Sequence, residues 1–329
     1  MLRRARRVLV LLSALVFAPG CGGSPPRETA SPSAAPASVP SAQTASTAST
    51  VVHRTTLRFE LGENAFPLPL VDVLVNGQPT TLIVDTGATH AVVGDWIPEE
   101  LGLVPSKADS QGLDHTGKAV ELARLEGVAL SLPGFGPRTT DLLVTRLPAP
   151  MRRIGLGGVL SPQAFAADGR AIVLDLAREE LSELASADAS RSVDDSAADT
   201  VHGELRACGA HGATLPFVPV VLNGVKVMAQ LDTGATSTSV RAASAAGVVL
   251  APLVTRSRES LVASGTTSLD TVDGASLTLG GSTVEVSVDL VARETDDACP
   301  TDALLGMDVL KRCTWVFDGD RVTGRCDAR

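Results

Sequence analysis

Leu82-Ile83-Val84-Asp85-Thr86-Gly87-Ala88-Thr89-His90-Ala91-Val92-Val93 has a second version at Ala229-Gln230-Leu231-Asp232-Thr233-Gly234-Ala235-Thr236-Ser237-Thr238-Ser239-Val240. Asp85 and Asp232 lie 147 residues apart, and Asn76-Gly77 and Asn223-Gly224 precede them at the same interval. The register persists downstream. Leu122-Ala123-Arg124-Leu125-Glu126-Gly127 matches Leu269-Asp270-Thr271-Val272-Asp273-Gly274, again at 147. Gly158-Val159-Leu160-Ser161 then matches Ala303-Leu304-Leu305-Gly306, and Ile172-Val173-Leu174-Asp175-Leu176 matches Trp315-Val316-Phe317-Asp318-Gly319. A repeat on this scale describes two copies of one structural unit. It predicts two lobes of similar design, at 51–185 and 203–329, joined by a polar, acidic connector at 186–202.

Within each unit the pattern is all-β. Short runs rich in Val, Leu and Thr, at 70–75, 81–84, 119–132, 172–176, 218–222 and 282–291, alternate with Gly, Pro, Asn and Asp. The two Asn-Gly pairs predict hairpin turns, because a type I′ turn needs positive φ at both central residues. Each hairpin leads into the strand that carries the aspartate. Short helices are expected near 95–101, 241–246 and 307–312. Trp96 and Trp315 read as core residues, and Asp175 and Asp318 as structural.

The first fifty residues have a different composition. Arg3, Arg4, Arg6 and Arg7 precede an apolar stretch at 8–17, the pattern of a bacterial secretory signal over residues 1–20. Ala18-Pro19-Gly20-Cys21 resembles a lipobox, which would make Cys21 a lipidated N-terminus; Ala18 stands where Leu is usual, and Pro19 is uncommon there. Ordinary cleavage near Ala18 or Gly20 is the alternative. Residues 22–50 are almost entirely Ala, Ser, Thr and Pro, with too little apolar volume for a core, and read as a flexible tether. The expectation is an exported protein of the periplasm or cell envelope, held to a membrane by lipid.

Charge and cysteine usage narrow the class. The chain has 28 Lys and Arg against 37 Asp and Glu; without the four arginines of the leader the balance is 24 against 37, a net −13. With no Tyr and two Trp, this argues against nucleic acid as a partner. Cys208, Cys299, Cys313 and Cys326 remain after Cys21, an even number that in an exported chain favours two disulfides, with three possible pairings. A hairpin over Asp318-Gly319-Asp320-Arg321 would set Phe317 opposite Val322 and, in the same register, Cys313 opposite Cys326. This favours Cys313–Cys326 and leaves Cys208–Cys299. No CxxC or CxxH spacing points to a metal.

The doubled Asp-Thr-Gly-Ala carries the chemistry. Gly87 and Gly234 allow two turns to approach without a Cβ clash. Thr86 and Thr233 offer hydroxyls that can tie the turns together, and Ala88 and Ala235 are small enough to permit it. If the turns meet, Asp85 and Asp232 come within hydrogen-bond range. Two such carboxylates cannot both ionise cheaply and share one proton, which supplies an acid and a base without a cofactor. Other hydrolase and nucleotide-binding motifs (GxSxG, HExxH, a P-loop) are absent from the sequence.

The two copies, each followed by a later apolar turn such as Leu304-Leu305-Gly306, resemble aspartic proteases of the retropepsin-like kind over essentially all of 51–329. Ala after Asp-Thr-Gly is the retropepsin form. The resemblance implies a two-lobed acid-protease fold with the usual dimer made within one chain, and hence a monomer in solution. It implies Asp85 and Asp232 as the catalytic pair, with either one able to be acid or base. It also implies one flap hairpin per lobe over an extended peptide substrate. Candidates are 112–118, with His115, Thr116 and Gly117 at the tip, and 263–267, with Ser264, Gly265 and Thr266. Ser161 departs from the Gly usual at the later turn, where Gly306 follows it. His90, opposite Ser237 in the repeat, reads as a pocket-wall residue or a modulator of Asp85. A peptide-binding envelope lipoprotein of the same fold without turnover is the rival reading.

Overall fold

The computed structural model describes residues 16–17, 51–107, 112–114, 118–189, 193, 199–208, 214–262, 265–293, 299 and 301–327. Cys21 and the tether at 22–50 lie outside them. Strands dominate, and the described α-helices are four to six residues long. The fold is bilobal and all-β.

Each lobe begins its site-building segment with the expected hairpin. Asn64–Val75 pairs with Gln78–Val84, and Thr214–Leu222 with Val225–Leu231. Positive φ at Asn76 (47°), Gly77 (84°), Asn223 (45°) and Gly224 (81°) makes both turns type I′. The asparagines do a second job. The Asn76 side chain accepts from Ala129 N–H at 2.8 Å and the Asn223 side chain from Ser276 N–H at 2.7 Å, tying each turn to the next hairpin.

The second strand of each hairpin ends at the aspartate and is flanked by a parallel neighbour from far along the chain. Leu156–Leu160 runs beside Gln78–Val84, with Leu160 opposite Val84; Ala303–Leu305 runs beside Val225–Leu231, with Leu305 opposite Leu231. Leu156–Leu160 and Ala303–Leu305 are apolar and buried along their whole length, as strands covered on both sides require, and the strands beside them become buried as they approach the aspartates. The 119–132 run is broken into Ala119–Val120 and Ala123–Ser131. The helix expected at 241–246 sits at Ala245–Leu250, because the Ser244 hydroxyl caps it by accepting from Gly247 N–H at 3.1 Å.

The lobes share a sheet. Val51–Thr56, Glu180–Ala185, Arg170–Asp175, Cys313–Asp318, Arg321–Cys326 and Val201–Ala207 lie side by side in that order. Arg170–Asp175 and Cys313–Asp318 are equivalent in the repeat, and they pair antiparallel with Val173 opposite Val316. These two residues are themselves equivalent, so the pseudo-twofold axis passes between them. Such a junction needs a hydrophobic strand at the end of each unit, which Ile172-Val173-Leu174 and Trp315-Val316-Phe317 supply; Trp315 is almost fully buried. Cys313 lies opposite Cys326 and is bonded to it, with Phe317 opposite Val322 and a turn tighter than the sequence suggested, since Asp318 also pairs with Arg321. The other disulfide is Cys208–Cys299.

Both hairpins at the flap-candidate positions are present in part. Arg256–Val262 pairs with Gly265–Leu279, Val262 facing Gly265 and Leu261 facing Thr266; Ser264 lies outside the described residues. Gly112–Leu113 pairs with Ala119–Val120, and Asp114 N–H donates to the Lys118 carbonyl at 2.9 Å. His115, Thr116 and Gly117 lie outside the described residues. Val16–Phe17, from the leader-like stretch, runs antiparallel along Gly112–Leu113. Among the described residues no helix is long and apolar enough to cross a membrane.

Candidate active site

The parallel strand pairs hold the two aspartates from behind. Asp85 N–H donates to the Leu160 carbonyl at 2.8 Å and Asp232 N–H to the Leu305 carbonyl at 3.0 Å. Past each aspartate the chain turns at once: Ala88 N–H reaches the Asp85 carbonyl and Ala235 N–H the Asp232 carbonyl, both at 3.3 Å. Gly87 N–H donates to Asp85 Oδ1 at 2.8 Å, and Gly234 N–H to Asp232 Oδ1 at 2.9 Å. Each turn therefore fixes its own carboxylate.

Two threonines join the turns. Thr86 Oγ1 donates to the Leu231 carbonyl at 2.8 Å and accepts from Thr233 N–H at 3.1 Å. Thr233 Oγ1 donates to the Val84 carbonyl at 2.6 Å and accepts from Thr86 N–H at 3.1 Å. All four bonds are buried, and each hydroxyl uses its one donor and one acceptor position across the lobe boundary. The result is that the Asp232 carboxyl lies against the Asp85 turn, close enough to act on the Asp85 carboxyl, and both aspartates are essentially inaccessible in this conformation. Gly87 is required by space, since a Cβ there would come within 2.5 Å of Asp232 Cγ.

Burial raises the Asp85 pKa from 3.8 to about 6; the hydrogen bond from Asp232 and the N–H groups of Gly87, Ala88 and Gly234 pull the other way. Desolvation wins because an isolated charge loses more in leaving water than a few neutral donors return. His90 contributes instead to Asp141, whose pKa is lowered chiefly by Gly127 N–H and Arg124. His90 Nδ1 lies 3.1 Å from Thr89 Oγ1, on the wall of a cavity of about 240 Å³ that also includes Asp141, Ser161, Gln163 and Thr214.

The two sides differ behind the matching turns. At the second, Met307 N–H donates to the Ala235 carbonyl at 2.8 Å. Gly306 presses against the chain there, since a Cβ at 306 would lie 2.5 Å from the Ser237 carbonyl carbon. At the first, Ser161 has ψ 110° where Gly306 has −176°, and its hydroxyl caps the following helix by accepting from Ala164 N–H at 3.4 Å. The next residue is Pro162, which has no N–H, and Gln163 reaches the Asp85 turn instead. Its Nε2 lies 2.9 Å from the Thr86 carbonyl, 3.1 Å from that of Ala88 and 3.4 Å from that of Thr214. Gln230 Nε2 reaches the Gly87 carbonyl at 3.4 Å. Asp308, the counterpart of Gln163, accepts from Thr238 Oγ1 at 3.0 Å, and burial raises its pKa to about 6.

A buried ion pair, Arg258–Asp289, lies beside the Asp232 turn. Arg258 Nε donates to Asp289 Oδ1 at 2.9 Å, and Ser237 and Thr271 hydroxyls donate to the same carboxylate at 3.0 and 2.8 Å. It links the hairpin at 256–279 to the residues just past the Asp232 turn. Sequence reasoning did not single out Gln163, Gln230, Asp308 or this pair. The signal for the first three was available as mismatches in the repeat: Pro162-Gln163 against Met307-Asp308, and Ile83 against Gln230.

Residues 71–160 match a family described as aspartyl protease, and residues 218–312 match one described as gag-polyprotein putative aspartyl protease. Among curated proteins none matches the chain. A solved structure, the aspartic proteinase from Irpex lacteus, is similar with a TM-score of 0.51 at 12% identity, over 84% of this chain and 97% of that one. Each family match contains one Asp-Thr-Gly-Ala turn and the later strand that runs beside it, and the solved structure shares the two-lobed fold. Each half of the chain therefore matches an aspartyl protease family, and the whole has the two-lobed fold of an aspartic proteinase.

Proposed function

We propose that the protein is an endopeptidase that hydrolyses peptide bonds with a water activated by Asp85 and Asp232. The observation that carries this reading is the carboxyl pair itself, buried together between the two lobes and framed by reciprocal threonine bonds. With one proton between them, the ionised carboxylate takes a proton from water as the oxygen attacks the scissile carbonyl carbon. The protonated member donates to the carbonyl oxygen. The tetrahedral adduct then collapses: the proton gained from water passes to the amine nitrogen as the C–N bond breaks, and a hydroxyl of the adduct returns its proton to the other aspartate as the product carboxyl forms. No bond to the protein forms at any stage. Thr86, Thr233, Gly87, Gly234, Ala88 and Ala235 hold the geometry, and the hairpins that include Gly265 and Thr266 and residues 112–118 cover an extended substrate, whose main chain can pair with their edges.

The same reading places the protein outside the cytoplasm. Two disulfides suit an oxidising compartment. The leader at 1–20, a lipidated Cys21 and the tether at 22–50 would hold the catalytic body away from an envelope membrane. The test is cleavage of a diverse peptide library by the purified full chain across pH 3–7, beside Asp85→Asn and Asp232→Asn. Pepstatin-sensitive cleavage that is lost in both variants, with unfolding midpoints retained, is expected. Undiminished cleavage in either variant would refute the dyad, and reproducible binding without turnover in the wild type would identify a binding protein.

A further inference from the structure

We propose that Gln163 is a positioning residue whose side-chain amide replaces the N–H that Pro162 lacks and holds the Asp85 turn in register with the Asp232 turn. The inference rests on the peptidase reading and concerns how its site is built. The Ala88 and Ala235 carbonyls are equivalent, and both turns are buried. A buried carbonyl needs a donor. Ala235 has the Met307 N–H, at 2.8 Å; at the same place in the first lobe the chain has Pro162. Nothing on the main chain at 162 can donate. Gln163 does so from one residue later, bonding both the Thr86 and Ala88 carbonyls and so bracketing Gly87.

The donor assignment follows from the partners. Three backbone carbonyls can only accept, so the amide must present Nε2 to them. The counterpart Asp308 is an acceptor and serves Thr238. Exchanging the two residue types would leave carbonyls facing a carboxylate. The third contact, at the Thr214 carbonyl, lies on the first strand of the other lobe's hairpin, and Gln230 from that hairpin takes the Gly87 carbonyl. Thr86, Gly87 and Ala88 thus each offer their carbonyl to a glutamine amide. The Asp85 side of the site is clamped by side chains where the Asp232 side is latched by backbone.

A clamp of this kind acts on the position of Asp85 and leaves substrate contacts alone. Gln163→Ala is expected to lower kcat about tenfold with KM little changed, the size of effect that losing one to two buried hydrogen bonds implies. Gln163→Glu should be more impaired at neutral pH and recover as the pH falls, since only the protonated carboxyl can donate to the carbonyls. Moving the second lobe's turn into the first, as Ser161→Gly/Pro162→Met/Gln163→Ala, restores an N–H and should return most of the lost kcat. Infrared titration of the Asp85 carboxyl, assigned by its loss in Asp85→Asn, reads the same geometry without substrate. Its midpoint should shift in Gln163→Ala and return in the transplanted variant. If Gln163→Ala keeps kcat within twofold and its carboxyl titration unmoved, or if the transplant is no better than Gln163→Ala, the clamp is wrong. Failure of the wild type to cut any peptide would instead overturn the peptidase reading, and the titration would still decide the clamp.

Discussion

Thr86 and Thr233 exchange bonds across the lobe boundary, each hydroxyl donating to the carbonyl just before the other lobe's aspartate and accepting the other threonine's N–H. Neither lobe can complete this arrangement alone. Thr86→Val keeps the shape and deletes the hydroxyl, leaving the Leu231 carbonyl and the Thr233 N–H without those partners. At about 1–3 kcal/mol for each buried group left unsatisfied, the variant should lose about 2–6 kcal/mol of unfolding free energy. Thr86→Ser retains both bonds and should lose no more than about 1 kcal/mol for the missing methyl. Urea unfolding of the two variants separates hydrogen bonding from packing.

Acidity should govern both activity and stability. The Asp85–Asp232 pair has its raised pKa at about 6, and only the singly protonated pair contains both acid and base. Peptide cleavage, followed as kcat/KM, is expected to decline above about pH 6.

The stability profile has its own sign. Asp85 and Asp308 both titrate near 6 in the folded chain against 3.8 as the ordinary value. Between those limits the folded state binds more protons than the unfolded state, so stability falls as pH rises from about 4 to about 6 and levels off beyond, by a total on the order of a few kcal/mol. Asp308→Asn should remove its share of that slope without changing stability much at pH 4. A flat thermal-unfolding profile over this range would contradict the burial of these carboxyls.

Gly306 and Ser161 occupy equivalent turns for different reasons. A Cβ at 306 would meet the Ser237 backbone at 2.5 Å, so Gly306→Ala must displace the chain just past Asp232. It is expected to cost about 1–3 kcal/mol, the usual price of overpacking a closed core, and to lower activity. Ser161→Gly removes a helix cap and adds backbone freedom, and should cost about 1 kcal/mol in thermal or urea unfolding. Equal effects at the two positions would mean that the lobes pack alike behind the site.

Much of this molecule was legible in one dimension. The Asn-Gly turns required positive φ and have it, the doubled aspartates lie together, and the Cys313–Cys326 bond follows from the hairpin register. These are features in which local chemistry or an exact repeat leaves little freedom. The helix at Ala245–Leu250 was misplaced because the Ser244 cap outweighs the composition of the preceding residues.

The sequence by itself determined that there are two similar units, that each carries an acidic turn, and that the turns must be brought together for either to make chemical sense. Tertiary structure alone decided how they are held. Gln163 reaches a carbonyl 77 residues away, Arg258 meets Asp289 across a sheet, and Val173 faces Val316 at the axis. Periodicity reports which face of a strand is buried. It carries no record of which distant donor satisfies a buried carbonyl, because that depends on backbone directions set only when both lobes have packed. The repeat therefore foretold the symmetry of the site, and the fold supplied its asymmetry.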